Sequence, residues 1–173
     1  RPGDRMRIRL INNGSTITNL HFHGMHVSLP QVRGLRKHSL ALREGGLGPD
    51  GSWADYTTLS TDATELYVNG MRNPRITIRP GETQFWQIGN IGVATYYALG
   101  LDNLEFTVVE EDGAMVWRTW QTDTLIMPPG KRYGVLVTAR RGRGTVRLRQ
   151  LGYDQGKAQW PARPLMRMRI TGD

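Results

Sequence analysis

Cysteine is absent from the 173-residue chain. That excludes disulfides, iron–sulfur ligation, zinc–thiolate sites, a cysteine nucleophile and any copper centre built on a thiolate. Histidine is scarce, at four, so a metal site has few ligands to draw on. No apolar run approaches the roughly 20 residues that a membrane-spanning helix needs. Acidic residues are outnumbered: 15 Asp and Glu stand against 23 Lys and Arg, a formal net charge of +8. The first residue is Arg1, not Met, and Arg1-Pro2-Gly3-Asp4 runs straight into strand-like sequence. The chain is therefore expected to lack its natural N-terminus, and any export signal with it. A core is expected all the same, since a chain of this length buries about two-thirds of its surface.

The placement of the positive charge matters more than its amount. In Asp4–Ile11, Arg5, Arg7 and Arg9 alternate with Met6, Ile8 and Leu10. The pattern returns in Val146-Arg147-Leu148-Arg149 and in Met166-Arg167-Met168-Arg169-Ile170. A period of two puts these arginines on the outward face of half-buried strands. The reading is a solvated sheet face, with no nucleic-acid partner, because aromatics are not interleaved with the basic residues.

Nearly every periodic segment reads as a strand. The expected strands are Asp4–Ile11, Thr18–Val27, Lys37–Arg43, Glu65–Val68, Arg75–Ile78, Thr83–Ile88, Tyr96–Leu99, Glu105–Glu110, Asp123–Met127, Arg132–Thr138, Thr145–Leu151 and Leu165–Thr171. Turn signals separate them: Asn13-Gly14, Asn73-Pro74, Pro80-Gly81, Asp112-Gly113 and Pro129-Gly130. Short strands at this spacing predict an all-β sandwich or barrel. Glu44–Asp62 is expected to be a loop and Arg140–Gly144 a hairpin turn. The methionines, Met25, Met71, Met127, Met166 and Met168 among them, form no dense segment and read as core filler.

One repeat stands out. Arg1-Pro2-Gly3-Asp4 recurs as Arg79-Pro80-Gly81-Glu82, and Asn12 and Gly14 recur as Asn90 and Gly92. Pro-Gly predicts a tight turn, the acid opens a strand, and Asn and Gly are expected to take positive φ at its end. At the same offset, His21 and His23 correspond to Leu99 and Leu101. The second copy makes its strand with aliphatics, so the strand itself does not require histidine.

His21 and His23 lie in Thr18-Asn19-Leu20-His21-Phe22-His23-Gly24-Met25-His26. Residues i and i+2 of a strand share a face, about 6.6 Å apart. Two imidazoles so placed serve two adjacent metals better than they chelate one. Gly24 allows close approach. His26 faces the other way, and His38 is isolated; both read as packing or surface histidines.

The stretch from Gly3-Asp4 through Asn12-Asn13 to His21-Phe22-His23-Gly24 resembles the first copper-binding motif of the multicopper oxidases, the laccase-like family. Val68-Asn69-Gly70, Arg72-Asn73-Pro74, Arg79-Pro80-Gly81-Glu82-Thr83-Gln84, Trp86, Asn90, Asp112-Gly113 and Met127-Pro128-Pro129-Gly130-Lys131-Arg132 resemble that family's second domain. The resemblance implies a cupredoxin-like Greek-key β-sandwich over 29–173. Residues 1–28 would be a two-strand remnant of a preceding cupredoxin domain. It implies copper as cofactor, with His21 a type 2 ligand and His23 a type 3 ligand. It also implies a small-molecule electron donor and dioxygen as partners, and a periplasmic or secreted location. No membrane partner is expected, and exposed strand edges favour oligomers.

The family uses ten histidines and one cysteine in four motifs, and this chain supplies the first motif alone. A fragment of a multicopper oxidase, not active by itself, is the expected function. The alternative is a degenerate cupredoxin-like module that binds no copper.

Overall fold

Alternating apolar and polar residues produce strands through most of what the computed structural model describes, namely residues 9, 11, 13, 32–46, 64–156 and 158–172. The strands are β1 (Arg36–Gly45), β2 (Glu65–Val68), β3 (Arg75–Ile78), β4 (Thr83–Asn90), β5 (Tyr97–Leu101), β6 (Phe106–Glu111) and β7 (Ala114–Thr122). They continue with β8 (Thr124–Met127), β9 (Arg132–Thr138), β10 (Gly144–Gln150), β11 (Tyr153–Asp154), β12 (Gln159–Trp160) and β13 (Arg163–Ile170). No α-helix occurs among the described residues. The expected strands Asp4–Ile11 and Thr18–Val27, and the first copy of the repeat, lie outside them but for isolated residues.

Two sheets form the sandwich. One has six strands in the order β2-β1-β4-β9-β6-β7, the other five in the order β3-β13-β10-β5-β8. The pairs β1–β4 and β3–β13 are parallel; the other pairs within these two sheets are antiparallel. Successive strands change sheet again and again, so the chain stitches the layers together in the Greek-key manner. Both inner faces are apolar. Leu40, Leu42, Trp86, Ile88, Phe106, Val108, Val135 and Val137 of one sheet meet Ile78, Leu99, Leu125, Met127, Val146, Leu148, Met168 and Ile170 of the other. Burying each such side chain contributes roughly 1.5–3 kcal/mol. A smaller cluster, Val32, Phe85 and Val109, lies on the outer face of the six-stranded sheet.

The turns show why the motif residues are what they are. Arg79-Pro80-Gly81-Glu82 closes with Glu82 N–H donating to Arg79 O at 3.0 Å, and Gly81 takes φ +74°. The Glu82 carboxylate then accepts from Arg79 N–H at 2.7 Å. Asp112 and Gly113 both have positive φ, 49° and 87°. That is the type I′ turn matching strand twist, and it leads directly from β6 into β7.

Several expectations need correction. Strand β7 is not among the expected strands: seven of its nine residues are exposed, so its apolar alternation is weak, and Asp112-Gly113 reads from sequence only as a turn signal. Arg140–Gly144 is not a hairpin turn, because β9 and β10 belong to different sheets. The segment expected as a loop from Glu44 begins in strand, since β1 runs to Gly45. Met71 is exposed rather than core filler. Asn90 and Gly92 do not adopt positive φ.

Asn90 acts through its side chain instead. Its Nδ2 donates to Thr95 O at 2.8 Å and to Met127 O at 2.9 Å, while Oδ1 accepts from Gly92 N–H at 2.9 Å. Its backbone pairs with Lys131 O and Gly130 N–H, both at 2.9 Å. One buried amide thus joins the end of β4 to the approach to β5 and to the ends of β8 and the turn before β9. Beside it, Glu44 Oε1 accepts from Val93 N–H at 2.6 Å and Ala94 N–H at 2.7 Å.

Two outcomes follow. Asn90→Asp, nearly isosteric, aims an oxygen at two buried carbonyls and is expected to cost about 3 kcal/mol in urea denaturation; a loss under about 1 kcal/mol would contradict the clamp. Gly92→Ala would put its Cβ 1.9 Å from Glu44 Oε2. Moving that carboxylate strains its two N–H bonds, so a loss of about 2 kcal/mol is expected, read the same way.

Candidate functional site

His21, His23 and His26 lie outside the described residues. His38 is described, on β1 opposite Trp86. Its ring stands edge-on to the indole, with centroids 6.4 Å apart and planes at 87°. Burial lowers its pKa, the Arg36 charge lowers it further, and Gln84 and Glu82 pull the other way. The ring is accordingly neutral at pH 7. It packs at one end of the sandwich, with its Nε2 buried and unpartnered.

The motif residues Gln84 and Trp86 form a short chain of hydrogen bonds next to it. Trp86 Nε1–H donates to Gln84 Oε1 at 3.2 Å, and Gln84 Nε2–H donates to Thr77 O at 3.0 Å. This joins β4 to β3 across the layers, which is a structural role. At the opposite end, Glu44 is 5% exposed, and its Oε2 has no partner. Tyr97 is buried with an unpartnered hydroxyl, and burial drives its pKa up, with the Glu44 charge adding to the shift.

A cavity of about 220 Å³ opens on the outer face of the six-stranded sheet. Gln87, Glu110, Arg132 and Tyr133 line it, with Gly89 and Gly113. Register places Glu110 across from Gly134 and Gly134 across from Gln87. A Cβ at Gly134 would stand 2.6 Å from Glu110 Cβ, so only glycine lets the glutamate lie there. Glu110 Oε2 and Arg132 Nε are both buried without partners, and desolvation lowers the Arg132 pKa. Sequence reading missed this pair. The available signal was the broken alternation in Val108-Val109-Glu110-Glu111, which the structure resolves as a bulge between Val108 and Glu110. The cavity holds one carboxylate and one guanidinium, a set that can bind polar groups but offers no nucleophile.

No group of three or more His, Asp or Glu able to hold a metal ion occurs among the described residues. The described sandwich therefore does not fit a copper site, and the imidazoles that could contribute to one, His21 and His23, are outside it.

A family model described as multicopper oxidase matches residues 43–150. The iron transport multicopper oxidase FET3 of Candida albicans is 38% identical over 72 residues, 42% of this chain and 11% of that protein. Among solved structures, the laccase-like multicopper oxidase CueO of Ochrobactrum sp. is 23% identical. It superposes on 80% of this chain and 31% of its own at a TM-score of 0.66. The McoA multicopper oxidase of Aquifex aeolicus is 20% identical over 80% of this chain and 32% of its own, with a TM-score of 0.69. The chain thus spans about a tenth of the curated relative and about a third of the solved enzymes. The all-β sandwich, its motif-bearing turns and the family match over residues 43–150 place this chain in the multicopper oxidase family.

Proposed function

We propose that the chain is a segment of a copper-dependent oxidase in which residues 29–173 form the second cupredoxin-like domain. Residues 1–28 belong to the preceding domain and carry two copper ligands, His21 and His23. In the whole enzyme, a small-molecule donor would be oxidised and dioxygen reduced to water. A periplasmic or secreted location belongs to the same reading. Copper, when bound, supplies one-electron redox chemistry. The work of this chain's own residues is to bind and to hold.

The observation that carries the proposal is the repeat, set in the family context. Leu99 and Leu101, the counterparts of His21 and His23, share the inward face of β5. That supports two imidazoles projecting together from the corresponding strand of the first copy. Imidazole is a good copper ligand, and two of them on one face suit a pair of neighbouring ions. The described domain completes its own core with aliphatic and aromatic side chains. With no cysteine and four histidines, these 173 residues cannot supply the family's ten histidines and one cysteine, so turnover by the chain alone is not part of the proposal.

Copper(II) titration followed by electron paramagnetic resonance tests the ligands. A saturable, tight copper signal is expected from the chain. His21→Ala and His23→Ala should each weaken binding by about tenfold or more, with the thermal transition of the sandwich unchanged. Absence of a saturable signal, or its persistence in both variants, would leave the copper-free module as the correct reading.

A further inference from the structure

The outer face of the five-stranded sheet carries a charge pattern that the copper reading does not use. Arg75 on β3 lies directly across from Arg167 on β13, and Arg167 directly across from Arg147 on β10. Arg169 and Arg149 follow two residues along on β13 and β10. Neighbouring strands are about 4.8 Å apart, and residues two apart on a strand about 6.7 Å. Because β10 and β13 are antiparallel, Arg149 and Arg169 lie on opposite sides of the Arg147–Arg167 pair, and the five arginines run diagonally across this one face. Asp102 is the acid paired there, at 2.6 Å from Arg149 and 3.5 Å from Arg147. Arg75, Arg167 and Arg169 are exposed and have no acidic partner among the described residues. Like charges directly opposite each other destabilise a sheet. They also concentrate positive potential over a low-dielectric surface.

We propose that this face is a docking surface for a linear polymer bearing sulfate groups. The face is built from Arg, with no Lys on its rows. A guanidinium fork engages such oxyanions through two parallel N–H bonds. Rows of them in two directions suit successive anionic groups of an extended chain. The arrangement disfavours other polyanions. No aromatic side chain stands in the arginine rows to stack bases. Of the exposed apolar residues of this side, Ile126 lies on β8, apart from the rows, and Leu151 follows Arg149 two residues along, its side chain over Gly100; one leucine at the end of a row falls short of the interleaved apolar and basic residues of a surface that enters a bilayer. The inference rests on sheet register and charge, independently of copper.

The test is fluorescence anisotropy of labelled dextran sulfate with the full 173-residue chain, at about 0.1 M salt, with neutral dextran as control. Binding to the sulfated polymer alone is expected, weakening steadily with salt. Arg75→Glu with Arg167→Glu should raise Kd by about tenfold or more and flatten the salt dependence. Lys37→Glu with Arg118→Glu makes the same change in net charge on the other sheet, and should change Kd by less than about twofold. Circular dichroism checks that both variants stay folded. Failure to bind dextran sulfate, or equal losses in the two variants, would overturn the proposal. Tighter binding of duplex DNA or of phosphatidylserine vesicles in the same assay would overturn it too.

Discussion

The sandwich depends on how one buried amide is satisfied. The side chain of Asn90 sits where β4 ends and the chain crosses to the other sheet, and it is 1% exposed. At that crossing the backbone must leave its ladder, and buried carbonyls would otherwise lose their partners. Asn90 supplies two donors and one acceptor, and all three are used. Because Met127 belongs to β8 and Lys131 precedes β9, the same residue fixes where both sheets end. Glu44, held against the next turn by two N–H groups, extends the clamp to β1.

Much of the fold could be read from the sequence because its signals are local. Arg75–Ile78 alternates and Arg132–Thr138 is a short apolar run, each bounded by turn signals, and their strands have the expected bounds. Pro-Gly at 80–81 and Asp-Gly at 112–113 need particular φ values, and the chain adopts them. Other features depend on tertiary context. Strand β7 lies at the edge of its sheet, with Trp117 fully exposed, so no burial pattern marks it. The Arg140–Gly144 turn looks like a hairpin, but whether two strands pair or part at a turn is decided by the rest of the sandwich. Asn90 suggested a backbone role from its type alone, whereas its side-chain partners lie as far away in sequence as Met127.

The candidate site divides in the same way. The His-x-His-Gly segment is a local pattern, two imidazoles at i and i+2, and it lies outside the described residues. Glu110 and Arg132 are not legible in the sequence, because they come together only through the β6–β9 ladder and the room left by Gly134. The described domain needs neither group to close its core. Its inner faces meet through aliphatic and aromatic side chains, with Leu99 and Leu101 where the other copy of the repeat has histidine. The outward arginines that raise the net charge are likewise extra to folding, and their register brings like charges together.

The central claim is that both sheets of this sandwich form one cooperative unit, tied at Asn90 and complete without metal. Native-state amide hydrogen exchange in the presence of a chelator tests it most directly. The amides of β4, β9, β10 and β13, with those of Gly92 and Gly130, are expected to share one global opening free energy, unchanged when copper is added. Separate opening energies for the two sheets, or protection that disappears with the chelator, would contradict it.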